Sequence, residues 1–216
     1  MEKIKKRSNI FIDSQEKRND ENRQKDLKTI PILEAIPLNV NSDVIFMQGK
    51  WGPEKAIAES KGVKRHRIRT IEKDKGVWAA QKEDGYTVTP VPMELEDAVY
   101  YYGTEDKNDG FDCIYLDLQS ILTPRFQNAI RWIFKARMLK HTSTLIITTG
   151  YGRSPMLAYY KNHKFKTEIG WTGRHPPTTE VMRRILDEER MSYLSLLEFP
   201  YKGHCGIPFV VTVTKF

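Results

Sequence analysis

The sequence predicts an α/β fold in which helices cover both faces of a mostly parallel sheet, giving three layers, and an antiparallel hairpin completes the sheet. From Asp43 onward, short apolar runs rich in β-branched residues alternate with amphipathic helical patterns, which is typical of a parallel sheet. The last two β-rich runs, Tyr193–Phe199 and Phe209–Thr214, flank a short turn that contains Gly203 and Gly206. A connection of this kind joins neighbouring antiparallel strands, so the chain is expected to end in a hairpin.

Turn and helix-end residues separate the elements of the first half. Pro53 suits the first turn of a helix, where its missing N–H costs little, and Gly62 suits the end of that helix. The predicted elements are strand Asp43–Gln48, a helix from Pro53 to Gly62, strand Arg67–Ile71, helix Lys75–Lys82 and strand Tyr86–Val91.

In the second half, a long amphipathic helix begins at Pro124. Its apolar residues recur at helical spacing, so one face should pack on the sheet. These residues are Phe126, Ile130, Ile133, Phe134 and Met138. The other predicted elements are strand Phe111–Leu116, strand Thr144–Thr149, which stops at Gly150, and helix Thr178–Arg190.

Composition divides the chain into a polar N-terminal arm, residues 1–29, and one domain, residues 30–216. The arm mixes charges of both signs around one apolar island, Ile10–Ile12, so it predicts no core element and could contact a protein partner. Hydrophobic residues make up 39% of the chain and charged residues 29%, which excludes a wholly disordered protein.

The chain is expected to be intracellular and cytoplasmic. Its first residues are charged with no apolar segment after them, so we expect no signal peptide, and no apolar run reaches the roughly 20 residues that span a bilayer. Cys113 and Cys205 lack metal-ligand spacing and fit a reducing compartment. The histidines are scattered, so no metal is predicted.

The formal charge of +7 favours a polyanionic partner such as RNA or DNA, because cations neutralise phosphates and release counterions. The densest basic patch contains Lys64, Arg65, Arg67 and Arg69, although a solvated helix end explains it nearly as well. Residues 150–177 mix aromatic residues with cations, including Arg153 and Arg174, which suits stacking on bases beside phosphates. A packing loop is the alternative for that segment.

Acidic residues follow two predicted strands, and two glycines follow the first. Gly49-Lys50-Trp51-Gly52 comes after the first strand, Glu72 after the second and Asp117 after the fourth. Ligands of open parallel sheets bind outside the carboxyl ends of the strands. This order of βα units, with acids at the strand ends and a terminal hairpin, resembles the class I S-adenosylmethionine-dependent methyltransferases, which have a Rossmann-like fold, over roughly Asp43–Phe216.

The resemblance implies a role for each of these positions. The turn Gly49–Gly52 would let the backbone approach the methionine part of S-adenosylmethionine, and Glu72 would accept hydrogen bonds from its ribose. Asp117 would face the transferred methyl group and the acceptor. Candidates for a residue near the adenine are Glu94, Glu96 and Asp97, among which the sequence does not choose.

The sequence also departs from the family pattern. Phe46-Met-Gln-Gly49 stands where the family usually has an acid followed by three alternating glycines, and Lys50 and Trp51 add bulk to the turn. No Asn/Asp-Pro-Pro-Tyr follows the fourth strand, so the usual signature of adenine amino-methylation is missing, and no Pro-Cys pair supports cytosine C5 chemistry. A non-catalytic nucleic-acid-binding or assembly subunit with a degenerate cofactor site is therefore the alternative function.

A further resemblance concerns the ribose 2′-O-methyltransferases and their Lys-Asp-Lys-Glu tetrad. Residues in comparable places are Lys28, Asp117, Lys161 (or Arg153) and Glu198. The chemistry needs a lysine of lowered pKa beside the hydroxyl, tuned by acids and a second cation. The resemblance thus implies that these residues assemble at one site, with methyl transfer to RNA as the expected reaction.

Overall fold

Seven strands form one sheet in the computed structural model, which describes residues 29–47, 53–105, 109–118, 122–150, 178–202 and 208–216. The strands are β1 Val44–Met47, β2 Ile68–Ile71, β3 Thr87–Val88, β4 Phe111–Asp117, β5 Leu139–Gly150, β6 Ser195–Lys202 and β7 Pro208–Lys215. Their order is β3-β2-β1-β4-β5-β7-β6. Strands β1 to β5 pair in parallel, whereas β7 is antiparallel to both β5 and β6. The predicted sheet and its terminal hairpin are confirmed.

Six helices lie within the described residues: α1 at 29–35, α2 Pro53–Ser60, α3 Lys75–Glu83, α4 Leu95–Glu105, α5 Pro124–Lys135 and α6 Thr178–Glu188. Side-chain caps begin two of them. Asp74 Oδ1 accepts hydrogen bonds from the N–H groups of Gly76 and Val77 at α3, and Thr123 Oγ1 accepts from Phe126 N–H at α5. Such caps satisfy N–H groups that have no partner inside the helix. None of the helices in the described ranges is long and apolar enough to cross a membrane.

The helices cover the sheet in two groups, which makes three layers. On one face, here called the α5 face, α4, α5 and α6 enclose Ile114, Leu116 and Ile147 in the larger apolar cluster. On the other, the α2 face, α1 and α2 pack over Cys113, Tyr115 and other alternate strand residues. Because successive strand residues point to opposite faces, this division tells on which face each strand residue lies.

Helix α1 is tied to α2 by a lysine. Lys61 Nζ donates to the carbonyl oxygens of Glu34 and Ile36 at 2.7 and 2.8 Å, which lie at the end of α1. Leu33 is 1% exposed within the α2-face cluster. A cation beside the last carbonyls of a helix is favourable, so α1 forms an integral part of the domain.

Strand β5 begins five residues before its predicted start, Thr144. The register of β4 against β5 shifts between Phe111 and Cys113. Gly110, at φ +94°, lies so close to this early part of β5 that a Cβ would stand 3.0 Å from the Leu139 carbonyl carbon. Glycine alone accommodates both the positive φ of residue 110 and the close approach of the β5 backbone. Because the pairing of β4 with β5 is irregular here, the sequence pattern did not predict that β5 begins at Leu139.

The two edges of the sheet differ in form. Strand β3 is only two residues long. Strand β6 is eight residues long and contains Pro200, which lies opposite Val210 of β7. Proline has no N–H to donate and occurs in sheets almost only at edges.

Candidate functional site

The carboxyl ends of β1, β2 and β4 lie side by side at one edge of the sheet. Met47 pairs with Ile71 of β2 on one side and with Leu116 of β4 on the other. Glu72 and Asp117 therefore stand at the same edge, on either side of the end of β1. With strands roughly 4.8 Å apart, the backbones of Glu72 and Asp117 lie about two strand spacings from each other.

The loop after β2 fixes the Glu72 carboxylate. Its Oε1 accepts hydrogen bonds from the backbone N–H groups of Lys73 at 2.8 Å and Asp74 at 2.9 Å. The Glu72 carbonyl oxygen accepts from Met93 N–H at 3.0 Å, which joins this loop to the chain after β3. The half-buried carboxylate is thus held in one orientation, and Oε2 has no hydrogen-bond donor among the described residues.

Asp117 ends β4 next to a buried pair of hydroxyl groups. It pairs in register with Thr148 of β5, and Thr148 Oγ1 lies 3.2 Å from the hydroxyl of Tyr115. Tyr115 is completely buried and Thr148 is 1% exposed, whereas Asp117 is half-buried. By strand alternation Asp117 lies on the α2 face, the same face as Tyr115.

Neither a protein-family model nor a curated protein matches the sequence. Solved structures do match the fold. M. jannaschii TYW2 in complex with AdoMet is 15% identical with a TM-score of 0.55, covering 89% of this chain and 76% of that one. A Haloferax volcanii protein assigned as a methyltransferase, in complex with the Trm112 methyltransferase activator, is 11% identical with a TM-score of 0.58 and 93% coverage of both chains. A Clostridium thermocellum protein assigned as an rRNA methylase is 11% identical with a TM-score of 0.51, covering 88% and 94%.

The chain has the class I methyltransferase fold. The turn predicted to contact the cofactor lies outside the described residues. It consists of Gly49, Lys50, Trp51 and Gly52. Four other predicted residues also lie outside, namely Lys28, Arg153, Lys161 and Arg174, and their predicted roles stay predictions. The predicted acids at the ends of β2 and β4 are the site residues that the structure brings to one edge.

Among the three adenine candidates, only Glu94 lies beside the Glu72 loop. Its carboxylate is 3.4 Å from Lys73 Nζ. Glu96 instead forms an ion pair with Arg125 Nε at 2.7 Å, between α4 and α5, and Asp97 is exposed on α4. The geometry therefore favours Glu94 for the rim of the candidate site.

Glu198 does not join Asp117, which corrects the predicted tetrad. Glu198 lies on β6 with Leu196 on the α5 face, whereas Asp117 lies on the α2 face. Three strand spacings, about 14 Å, also separate β6 from β4. The carboxylate has another role, because Glu198 Oε1 accepts a hydrogen bond from Thr179 N–H at 2.7 Å in the first turn of α6.

We expect Glu198→Ala to lower the free energy of unfolding by about 1 kcal/mol, because it removes an acceptor and a negative charge from the N-terminus of α6. Glu198→Gln keeps the acceptor and should cost less. Urea unfolding of the two variants measures the difference. Equal stability of wild type and Glu198→Ala would contradict this role.

The predicted basic patch lies at the opposite edge of the sheet, and most of it is engaged within the protein. Arg65–Arg67 form a 3-10 turn before β2, hence at its amino end. Arg67 and Arg69 donate to the two carboxylate oxygens of Asp43 at 2.7 and 2.9 Å. Arg69 is 8% exposed and lies over the Phe111 ring, so it is structural and unavailable to a phosphate. Lys64 is exposed, and its contact with nucleic acid stays a prediction.

Arg65 belongs to a cluster around Tyr86. The Tyr86 hydroxyl donates to Glu59 Oε1, which also accepts from Arg65 Nε at 3.1 Å. Burial and the bond to Glu59 raise the pKa of Tyr86 to about 12. Burial alone would raise the pKa of Glu59, but the hydrogen bonds from Tyr86 and Arg65 outweigh it and lower that pKa. Glu59 therefore adds stability above its unfolded-state pKa, and this is lost as pH falls through the lower folded-state pKa.

We expect Tyr86→Phe to make acid unfolding begin at a higher pH, because Glu59 loses one of the bonds that lower its pKa. The Tyr86 contribution itself is present below its unfolded-state pKa and is lost as pH rises through about 12. Urea midpoints measured from neutral pH down to about pH 3 test the acid shift. Tyr100→Phe, at a tyrosine that is 57% exposed, is the control and should leave the profile unchanged.

Sequence reasoning missed two buried charged residues directly after the candidate turn. Glu54 is 0% exposed and Lys55 is 8% exposed in the first turn of α2. Burial lowers the pKa of Lys55, against the attraction of Asp84, Glu54 and Glu59, and its Nζ lies 4.7 Å above the Tyr86 ring. An acid and a lysine at a helix start are ordinarily solvated, so the sequence held no signal of burial.

Within the described ranges, no group of three metal-ligating side chains occurs.

Proposed function

We propose that the protein transfers the methyl group of S-adenosylmethionine to a nucleic acid, with RNA as the favoured acceptor. The observation that carries the proposal is the Glu72 carboxylate, fixed by two backbone N–H groups beside the end of β1. A strand-end acid of this kind accepts hydrogen bonds from ribose hydroxyls in Rossmann-type sites. The AdoMet-bound TYW2 structure of similar fold supports the same cofactor.

The described residues fit the nucleoside part of that cofactor. Glu72 Oε1 serves the loop, which leaves Oε2 to accept from a ribose hydroxyl, and Glu94 lies nearby on the rim. When bound, the cofactor supplies an electrophilic methyl group on a sulfonium. The protein's own task is to orient this group and the acceptor, since proximity and alignment account for much of the barrier in such transfers.

Asp117 is the residue proposed to meet the acceptor. It is half-buried at the end of β4, two residues beyond the completely buried Tyr115. Its carboxylate can accept a hydrogen bond from an acceptor N–H or O–H and so hold the lone pair toward the methyl group. Because Glu198 lies on the other face, the proposal does not include the ribose tetrad.

Charge and sequence support a nucleic acid as the acceptor. The net charge is +7, while the described residues of the carboxyl edge include the acids Glu72, Glu94 and Asp117. Phosphate contacts are therefore assigned to residues 150–177, which contain Arg153, Lys161 and Arg174. The fold similarity to a Clostridium thermocellum protein assigned as an rRNA methylase supports RNA as the acceptor.

Calorimetry of the full-length protein with S-adenosylhomocysteine tests the cofactor. We expect saturable binding, with NAD as the control nucleotide that does not bind. Absence of heat and of thermal stabilisation at millimolar ligand would overturn the enzyme proposal in favour of the non-catalytic alternative. Transfer of a labelled methyl group to RNA, but not to DNA or protein, then tests the acceptor, and equal labelling of protein would contradict it.

A further inference from the structure

An apolar cavity of about 330 Å³ opens at the amino edge of the sheet, at the opposite end of the strands from the candidate site. It lies between the start of β5, the loop before β6 and the residue that follows β7. Its apolar lining consists of Leu139, Met191, Tyr193, Leu194 and Phe216. A cavity of about 150 Å³ with a lining of this kind holds a benzene molecule, so the amino-edge cavity has room for the side chain of a leucine.

A leucine protrudes at the mouth of this cavity. Leu194 is 83% exposed, the highest value among the large exposed hydrophobic residues of the described ranges. Its backbone N–H donates to the Lys215 carbonyl oxygen at 2.7 Å, which fixes its position beside the end of β7. Apolar surface of this kind beside an apolar cavity is typical of an interaction site. Because the projection and the cavity belong to the same patch, two copies related by a two-fold axis can each insert Leu194 into the other.

Exposed charges of both signs surround the cavity, and none of them forms an ion pair within the described part of the chain. Each lies next to a lining residue or in the last turn of α6, just before the loop to β6. The cations are Arg137, Arg190 and Lys215, and the acids are Asp109 and Asp187. The lysine on the rim itself, Lys140, is already paired with Asp112 at 2.7 Å and is not counted among them.

This mixture of signs indicates what kind of partner the patch fits. A surface for nucleic acid or for an acidic peptide needs cations, and exposed acids beside them oppose binding. A surface that binds its own copy needs both signs, because each residue of the patch meets a residue of the same patch. Asp187 and Arg190 lie in one turn, since the Arg190 N–H donates to the Asp187 carbonyl oxygen at 3.1 Å. A two-fold axis beside that turn brings each aspartate to the other copy's arginine.

We propose that the amino-edge cavity is a two-fold interface between two copies of this chain. Leu194 of each copy enters the cavity of the other, and Asp187 of each copy pairs with Arg190 of the other. The candidate site lies at the carboxyl edge of the sheet, so the two sites of the dimer face away from each other. The proposal is independent of methyl transfer, because no residue of the candidate site takes part in the interface.

Sedimentation of the full-length chain at concentrations from about 1 to about 100 μM tests the interface. We expect a dimer of twice the mass of one chain. Leu194→Asp should raise its dissociation constant by at least about tenfold, because a carboxylate without a partner is costly in an apolar cavity. Val91→Asp, at a valine that is 55% exposed after β3 and hence at the opposite edge, is the control and should leave the dimer intact.

Charge reversal tests the two-fold geometry. Asp187→Arg and Arg190→Asp each place like charges together twice in a dimer, so each variant alone should dimerise about tenfold more weakly at low salt. Mixed in equal amounts, the two variants should form a heterodimer, because both contacts across the axis then join opposite charges. Residue 190 has a φ of +53°, which aspartate tolerates.

Three outcomes would overturn the proposal. A monomer at every concentration would show that the patch does not bind a second copy. Dimerisation of Leu194→Asp as strong as that of wild type would assign the dimer to another surface. If mixing the two charge variants did not restore the dimer, Asp187 and Arg190 would not meet across a two-fold axis.

Discussion

Replacing Glu72 by Ala is expected to weaken S-adenosylhomocysteine binding by about 10- to 100-fold. Hydrogen bonds to a charged group contribute about 1.5–3 kcal/mol, and each 1.4 kcal/mol is a factor of ten in affinity. The effect should be large because the Lys73 and Asp74 N–H groups already orient the carboxylate. The Glu72 side chain therefore loses little conformational entropy when it accepts a hydrogen bond from the ligand. Calorimetric titration of wild type and variant measures the ratio.

Two matched variants separate ligand binding from loop structure. Glu72→Gln keeps an oxygen for the two N–H groups while losing the charge, so its affinity should fall between wild type and Glu72→Ala. Glu94→Ala removes an exposed acid that pairs only loosely with Lys73 and should cost less than Glu72→Ala. If Glu94→Ala lost as much affinity as Glu72→Ala, the assignment of the ribose contact to Glu72 would be wrong.

Replacing Gly103 by Ala is expected to destabilise the protein by about 2–3 kcal/mol, although alanine is the better helix former by about 1 kcal/mol. A Cβ on Gly103 in α4 would stand 2.7 Å from Nε1 of Trp132 in α5 and 3.0 Å from Cβ of Ala136, directly after α5. The indole cannot move aside freely, because Trp132 stacks on Tyr100 with ring centroids 4.9 Å apart. Urea unfolding gives the change in free energy.

The cause of that loss can be tested with a second substitution. Trp132→Phe removes Nε1, so Gly103→Ala should cost less in that background than in wild type. Gly76→Ala in α3, where a Cβ meets only the Asp74 carboxylate at 3.3 Å, is the control and should be nearly neutral. A neutral Gly103→Ala would show that α4 and α5 adjust at no cost.

Much of the fold followed from local patterns, and the exceptions have physical causes. Helix α4 was not predicted because Tyr100, Tyr101 and Tyr102 favour strands and Gly103 disfavours helices. Tertiary packing overrides these preferences, since Tyr102 is buried in the α5-face cluster and Gly103 admits α5. Strand β3 was predicted over Tyr86–Val91 because residues of high β-propensity continue through that range, but only two of its residues pair with β2.

Some residues of the candidate site could be placed from the sequence, whereas others could not. Glu72 and Asp117 could be placed because both follow a buried strand, and parallel strands end at a common edge. Glu198 could not be placed in the correct position by order along the chain, because its face depends on the strand register of the hairpin. Arg69 seemed part of a basic surface, yet β2 is paired on both sides and Asp43 neutralises the arginine inside.

The unequal edges of the sheet bear on how the protein behaves at high concentration. An unpaired strand is a template for another chain, and long regular edges promote fibrous aggregation. Here one edge offers only the two residues of β3, and Pro200 interrupts the hydrogen-bonding groups of the other. Pairing of edge strands from different molecules is therefore disfavoured at both β3 and β6. Any assembly would then depend on contacts between side chains.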